Sequence, residues 1–306
     1  MSKALTEKDF SDGMINMTDL HTHSTASDGT LTPAQLIETA ASLGLKALSL
    51  TDHDTVDGLE AGENESRKAG IQFIPGIEIE VKYSKGEFHL LGLGIWEWKG
   101  KFQEQLKTLQ TDRYERNLSI LAKMRSDGIL ADYEEIEALA QGKIVGRPHF
   151  ARYLVLKGIA SSIEDAFHRF ISPGGPYYVR KKSLSLREAA DLIHSAGGKA
   201  IIAHPLSLCL EWNQMEPAFR SYQDQGIDGI EAYHPNANLF ECKRLQDIAE
   251  RIGLLISAGS DFHGPHIPYR KLGRTTEEIW IEDTFALPYL QSRPSPGKET
   301  YGILHP

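Results

Sequence analysis

Short apolar runs alternate with stretches of helical period along most of the chain, and polar residues of metal-binding type fall where the runs stop. An apolar start over residues 17–20 leads into His21 and His23. Thr32-Pro33-Ala34-Gln35 is a helix-start signature, with Thr32 as N-cap, Pro33 in the first helical position and Gln35 completing a capping box. Leu36, Ile37, Ala40 and Ala41 carry that helix to Gly44. Residues 45–51 predict a strand ending at Asp52-His53-Asp54, and a helix follows over about 56–70. Residues 71–74 predict a strand that ends at Pro75-Gly76-Ile77-Glu78, and residues 88–95 another, with His89 inside it. Later strands over 199–203, 229–233 and 254–259 run into His204, His234 and Ser260-Asp261-Phe262-His263, with helices over 185–196 and 238–252 between them. Such alternation predicts an α/β fold with a parallel sheet, and this many units predicts a closed or nearly closed barrel.

The middle of the chain departs from this pattern. Between residues 102 and 170 no strand is predicted; helical patterns run over 102–125, 132–140, 147–156 and 162–170. A Pro/Gly loop at 172–176 then leads back to alternation. The expected organisation is a lead-in over 1–16, a discontinuous barrel domain over 17–100 and 183–285, a helical insertion domain over 101–182, and a tail over 286–306 that is loosely held from Pro288.

Composition narrows the class. The chain has 306 residues, 41% hydrophobic and 25% charged, as soluble enzymes do. No apolar run approaches the ~20 residues that span a bilayer, and residues 1–20 lack the apolar core of a signal peptide. Cys209 and Cys242 are the only cysteines and have no metal-type spacing, so the expected compartment is a reducing cytoplasm. Net charge is −9, against a whole-surface nucleic-acid binder. Residues 99–182 nevertheless hold 15 Lys/Arg against 10 Asp/Glu, a local balance of +5, which leaves −14 for the remainder. An acidic body with a basic segment suits anionic substrates brought to a carboxylate-containing site.

Two histidines at i and i+2 point to one side of a strand, and Asp28 follows in a turn closed by Gly29. One strand-end histidine reads equally well as a hydrogen-bonded loop residue. The recurrence of His53, Glu78, His204, Asp261 and His263 at successive strand ends points instead to one face of a barrel, where active sites form. With Asp28 and His89 the set is six histidines and three carboxylates. At three or four protein ligands per ion, nine groups suit two or three divalent ions, with Glu78 or Asp261 as a bridge. His21 and His23 are expected on one ion, and Asp28 and His53 on a neighbour. Arginine forks match phosphate oxygens, which makes Arg147, at a helix start beside His149, and Arg116, one turn from Arg113, the expected phosphate contacts. Tyr178, with Arg180 two residues on, reads either as a core aromatic or as a stacking platform for a base. His263, Asp52 and His234 are the alternatives for protonating a leaving group.

The motifs Asp-Leu-His21-Thr-His23, Thr-Asp-His53-Asp, Gly-Ile-Glu78, Ala-His204-Pro and Ser-Asp261-Phe-His263 resemble those of the PHP (polymerase and histidinol phosphatase) superfamily. Gly146-Arg147-Pro-His149-Phe-Ala-Arg152, Gly197-Gly198-Lys199-Ala200 and the stretch from Gly259 to Gly264 are similar to its nucleoside 3′,5′-bisphosphate phosphatases, also described as RNase AM. The resemblance covers residues 17–285. It implies a distorted (β/α)7-type barrel with a helical insertion. It also implies a trinuclear site, often manganese, with iron or zinc as alternatives, on the same nine residues; spacing alone does not select His89. The implied substrates are nucleoside 3′,5′-bisphosphates and short 5′-phosphorylated RNA, with no membrane and no obligate protein partner. A histidinol-phosphate or other small-molecule phosphatase, and a PHP scaffold without catalysis, are the alternatives.

Overall fold

The computed structural model describes residues 16–140, 145–180, 183–265 and 267–294. The lead-in expected over 1–16, except Asn16, and the tail beyond residue 294 lie outside them. Seven strands form one sheet in chain order: β1 (Met17–Asp19), β2 (Leu45–Leu50), β3 (Gln72–Glu80), β4 (His89–Leu93), β5 (Lys199–Ile202), β6 (Gly229–Tyr233) and β7 (Leu255–Ala258). The sheet curls until its ends meet. Leu20 N–H donates to Ala258 O (3.3 Å) and His23 N–H to Phe262 O (2.9 Å), and the Asp19 carboxylate accepts from Ser260 N–H (3.0 Å) and Gly273 N–H (2.8 Å).

The sheet is not wholly parallel. β1, β2 and β3 are parallel, as are β5, β6 and β7, but β4 is antiparallel to both neighbours. A short hairpin after β3 returns the chain at once, with no crossover helix, and only an antiparallel partner can be reached that way. β3 also runs on through Pro75, where a stop was expected. Pro75 is the last residue of β3 paired with β2, opposite Leu50, and on the other side it lies beyond the β4 ladder, which ends at Gly76 opposite Leu93, so that ladder loses no donor there.

Helices α1 (Pro33–Ser42), α2 (Leu59–Ala69), α7 (Leu186–Ser195), α8 (Trp212–Gln223) and α9 (Leu239–Ile252) accompany the barrel. The capping boxes expected at Thr32/Gln35 and Ser185/Glu188 are both formed. Between β4 and β5 lie α3 (Lys101–Ser126), α4 (Tyr133–Ala140), α5 (Arg147–Leu156) and the short α6 (Ile163–Ala166), which passes into a π-helical turn at Phe167–Ile171. α3 straddles two cores. Phe102, Leu106 and Leu109 pack into the main cluster of the barrel, whereas Ile120, Leu121 and Met124 join Phe150, Leu154 and Tyr177 in a separate cluster.

Of the tail expected to be loosely held from Pro288, the described part, to residue 294, is held in place. A 3-10 turn (Asp283–Ala286) and α10 (Leu287–Gln291) bring Tyr289, fully buried, against Leu20, Ala47, Ile74, Leu91, Leu93 and Ile201 inside the barrel. This plug leaves the other end, towards which the parallel strands run, for the polar residues.

Candidate metal centre

Glu78 lies at the centre of the polar end, 1% exposed, because β3 continues past Pro75 and carries it inward. Its Oε2 is 3.4 Å from His21 Nε2, 3.3 Å from His23 Nε2 and 3.1 Å from His53 Nδ1; its Oε1 is 2.8 Å from His89 Nδ1 and 3.1 Å from His204 Nε2. Five imidazoles surround one carboxylate. His89 reaches it because β4 is antiparallel, so the start of β4 lies beside the end of β3, with His89 opposite Glu80.

Asp261, in a left-handed conformation (φ 51°), forms a second focus. Its Oδ1 is 3.4 Å from His21 Nε2, 3.2 Å from His23 Nε2 and 3.4 Å from His263 Nδ1, and its Oδ2 is 2.6 Å from an Arg270 Nη. Asp28 supplies the third, with Oδ1 3.3 Å from His263 Nε2 and 3.7 Å from His23 Nδ1, and Oδ2 3.8 Å from His53 Nε2. The turn that presents Asp28 needs Gly29, since a Cβ there would stand 2.4 Å from His23 O. All nine expected residues therefore meet in one cluster. Within it, His23, Asp28, His53 and His263 form one group of converging donors, His21, His23 and Glu78 another, and His53, Glu78 and His89 a third.

These residues fit divalent cations. His21 Nε2 and His23 Nε2 are 3.1 Å apart and buried, and His23 Nδ1 is a buried nitrogen without a hydrogen-bond partner. Like donors packed this tightly are stabilised by a positive centre between them. Protons take that part when no ion is present. Burial opposes charge on His23 and His89, yet the carboxylates of Asp261 and Glu78 raise His23 to about 10, and Glu78 raises His89 to about 9. His53 falls to about 4, because its burial and the nearby His23 and His89 outweigh Glu78 and Asp28. Burial likewise works against the charged forms of Glu78, Asp28 and Asp261, but the histidines hold all three well below the usual carboxylate range.

Glu231 was not anticipated. It is fully buried in β6, its Oε1 is 3.0 Å from His21 Nδ1, and its Oε2 accepts the His204 N–H at 2.8 Å. A carboxylate can only accept, so His21 Nδ1 carries a hydrogen, and Nε2 is the nitrogen turned to the cluster. The signal in the sequence was a carboxylate inside an apolar strand, Gly-Ile-Glu231-Ala-Tyr.

The three expected proton donors separate. Asp52 is turned away, its Oδ1 accepting from Ser24 N–H (2.8 Å) and Ser27 Oγ (2.6 Å) and its Oδ2 from Ser24 Oγ (2.7 Å). It braces the loop that carries Asp28. His234 accepts the Asn236 N–H at Nδ1 (3.1 Å) and stands behind Asp261, Nε2 to Oδ2 3.4 Å. Only His263 lines the cavity in front of the cluster, which measures about 310 Å³.

Arg116 and Arg147 line that cavity too, with Arg113 beside them. Arg113 is ion-paired to Asp54, the neighbour of His53. Arg147 is 3.5 Å from Glu87. His149 is occupied as a cap, Nδ1 accepting the Gly146 N–H at 2.9 Å, and does not line the cavity. Tyr178 and Arg180 line an adjoining groove, where the Arg147 guanidinium stands 6.0 Å from the Tyr178 ring.

The PHP domain family matches residues 19–178 of the chain. A 3′,5′-nucleoside bisphosphate phosphatase of Chromobacterium violaceum is 34% identical over 271 residues, 86% of this chain and 95% of that one. The 5′-3′ exoribonuclease Rnm of Escherichia coli is 34% identical over 266 residues, 86% and 89% of the respective chains. Among solved structures, an amidohydrolase from Chromobacterium violaceum with bound sulfate superposes with a TM-score of 0.78 at 31% identity, over 91% of this chain and 98% of that one.

Proposed function

Because the chain belongs to the PHP domain family, we propose that it is a metal-dependent phosphoesterase that removes the 3′-phosphate of nucleoside 3′,5′-bisphosphates and trims short RNA from a 5′-phosphorylated end. The observation that carries this reading is the meeting, in one cavity, of seven residues of the donor cluster with Arg116 and Arg147, while His21 and His23 stand buried behind Glu78 and Asp261. His21, His23, Asp28, His53, Glu78, His89, His204, Asp261 and His263 hold two or three ions, with manganese our assignment and Fe²⁺ or Zn²⁺ also suited to imidazole and carboxylate donors. Such ions supply Lewis-acid activation of water and charge neutralisation at phosphorus.

The chain's own groups do the rest. Arg116 and Arg147 hold the 5′-phosphate and so place the 3′-phosphate at the cluster. Glu231 keeps the hydrogen of His21 on Nδ1. With His263 among the ion-holding residues, Asp52 sequestered and His234 behind Asp261, the proton for the leaving 3′-oxygen comes from water in the open cavity. Both activities use one attack site and one distant phosphate anchor. We place the enzyme in the cytoplasm, a reading supported by Cys209 and Cys242, which are both free thiols, and by the absence of any described helix long and apolar enough to cross a membrane.

The test is to incubate the manganese-loaded protein with adenosine 3′,5′-bisphosphate, a 5′-phosphorylated oligoribonucleotide, its 5′-hydroxyl counterpart and histidinol phosphate. Turnover of the first two is expected. Absence of both sinks the proposal, and preferential turnover of histidinol phosphate replaces it with the small-molecule phosphatase reading.

A further inference from the structure

The arginine pair is not the blind end of the cavity. Arg116 and Arg147 line both the metal cavity and a second groove of about 460 Å³ that continues beyond them. The walls of that groove are the hairpin between β3 and β4, with the exposed Lys82 and Lys85, and the segment after the π-helical turn, with Tyr178 and Arg180. None of these four lines the metal cavity. Lys82, Lys85, Arg116, Arg147 and Arg180 face only Glu80 and Glu87 as acidic lining, which makes the groove electropositive. Arg116 is 6% exposed and its Nε is buried without a hydrogen-bond partner. Burial and the neighbouring Arg113 and Arg147 lower it to about 10. A desolvated guanidinium among others of its charge is stabilised by an anion. A monophosphate on the pair would meet that need and still leave the positive groove beyond it filled only by water.

We propose that this groove holds a group joined to the 5′-phosphate through a pyrophosphate linkage, so that the enzyme also accepts nucleoside 3′-phosphates whose 5′ end is a diphosphate or a diphosphate ester. The inference rests on the phosphatase reading above and specifies its substrate class. The outer phosphate falls within reach of Lys82 and Lys85, and the group beyond it lies along the Tyr178 wall. The reaction at the 3′ end keeps its balance. The oxygen of water bonds to phosphorus, the bond from phosphorus to the 3′-oxygen breaks, and that oxygen leaves with the electron pair and takes a proton. Inorganic phosphate is released and the pyrophosphate linkage stays intact.

The experiment compares release of inorganic phosphate from adenosine 3′,5′-bisphosphate, adenosine 3′-phosphate 5′-diphosphate and coenzyme A, using the metal-loaded full chain and its Lys82→Gln/Lys85→Gln variant. The kcat/KM of the two extended compounds is expected within about tenfold of the bisphosphate. The double variant is expected to lower the extended compounds by about tenfold, as loss of charge-assisted contacts does, and the bisphosphate by less than about twofold. Turnover of the bisphosphate with the extended compounds more than about a hundredfold slower overturns the inference and leaves the phosphatase reading standing. An equal loss on the bisphosphate also overturns it, since the lysines would then serve the nucleoside itself. No turnover of the bisphosphate by the parent protein defeats the underlying reading as well.

Discussion

At the scale of single residues, the candidate centre is a contest between protons and cations for the same nitrogens. His23, raised to about 10, and His89, raised to about 9, carry protons at neutral pH when no ion is bound. Metal binding must expel them. Loading the metal-free protein near pH 7 should therefore release protons, read as a dependence of the calorimetric enthalpy on the ionisation enthalpy of the buffer. Apparent affinity should rise between pH 6 and pH 9; a pH-independent affinity would contradict the assignment. The same raised pKa values fix the sign for stability. Protonated His23 and His89 stabilise the metal-free fold fully below their unfolded value of about 6.5, and that contribution fades as pH climbs towards 9–10. Glu231 acts on this contest from behind. In Glu231→Gln the amide nitrogen must face either His21 Nδ1–H or the His204 N–H, and both are donors. Metal affinity should fall about 10- to 100-fold with the circular dichroism spectrum unchanged. An unaltered affinity would reduce Glu231 to a packing residue.

At the scale of elements, the plug formed by α10 ties the barrel floor together. Tyr289→Ala removes a fully buried aromatic side chain from the cluster with Leu91 and Ile201, and should cost about 3–5 kcal/mol in denaturant unfolding. A loss below about 1 kcal/mol would mean that the segment is as loosely held as its Pro and Gly content suggests. That misreading shows where the sequence was legible. Period and caps located α1, α5, α7 and α9 nearly to the residue, because those signals are local. Strand direction is not local, so the antiparallel β4 was invisible, and with it the geometric reason for His89. Pro75 reads as a strand stop, and only the early end of β4 makes it harmless. Pro217 inside α8 hides that helix in the same way. Seven of the nine cluster residues could be read from strand ends, and Asp28 from the turn closed by Gly29. Glu231, Arg270 and the Asp54–Arg113 pair depend on which strands and helices become neighbours, which no spacing records.

At the scale of the whole molecule, α3 joins the barrel to the helical segment between β4 and β5. Its first turns pack on the barrel, its last turns on the insertion core, and between them Arg113 pairs with Asp54 beside His53 while Arg116 faces the cavity. In the proposed reading, this one helix sets the Arg116 part of the phosphate anchor at a fixed distance from the cluster, which is how a remote phosphate can be used to position a reacting one. If Arg116 binds only the remote phosphate, its interaction is the same in ground and transition states. Arg116→Gln should then raise KM for 5′-phosphorylated substrates about 10- to 100-fold with kcat nearly unchanged, and leave the 5′-hydroxyl oligoribonucleotide unaffected. Arg116→Lys, which keeps the charge without the fork, should recover part of the loss. Because the contact is ionic, the KM of the parent enzyme for these substrates should also climb with salt, and that slope should flatten in Arg116→Gln. A fall in kcat shared by phosphorylated and hydroxyl substrates would instead put Arg116 at the scissile phosphate, and the distance held by α3 would then serve the cluster rather than the anchor.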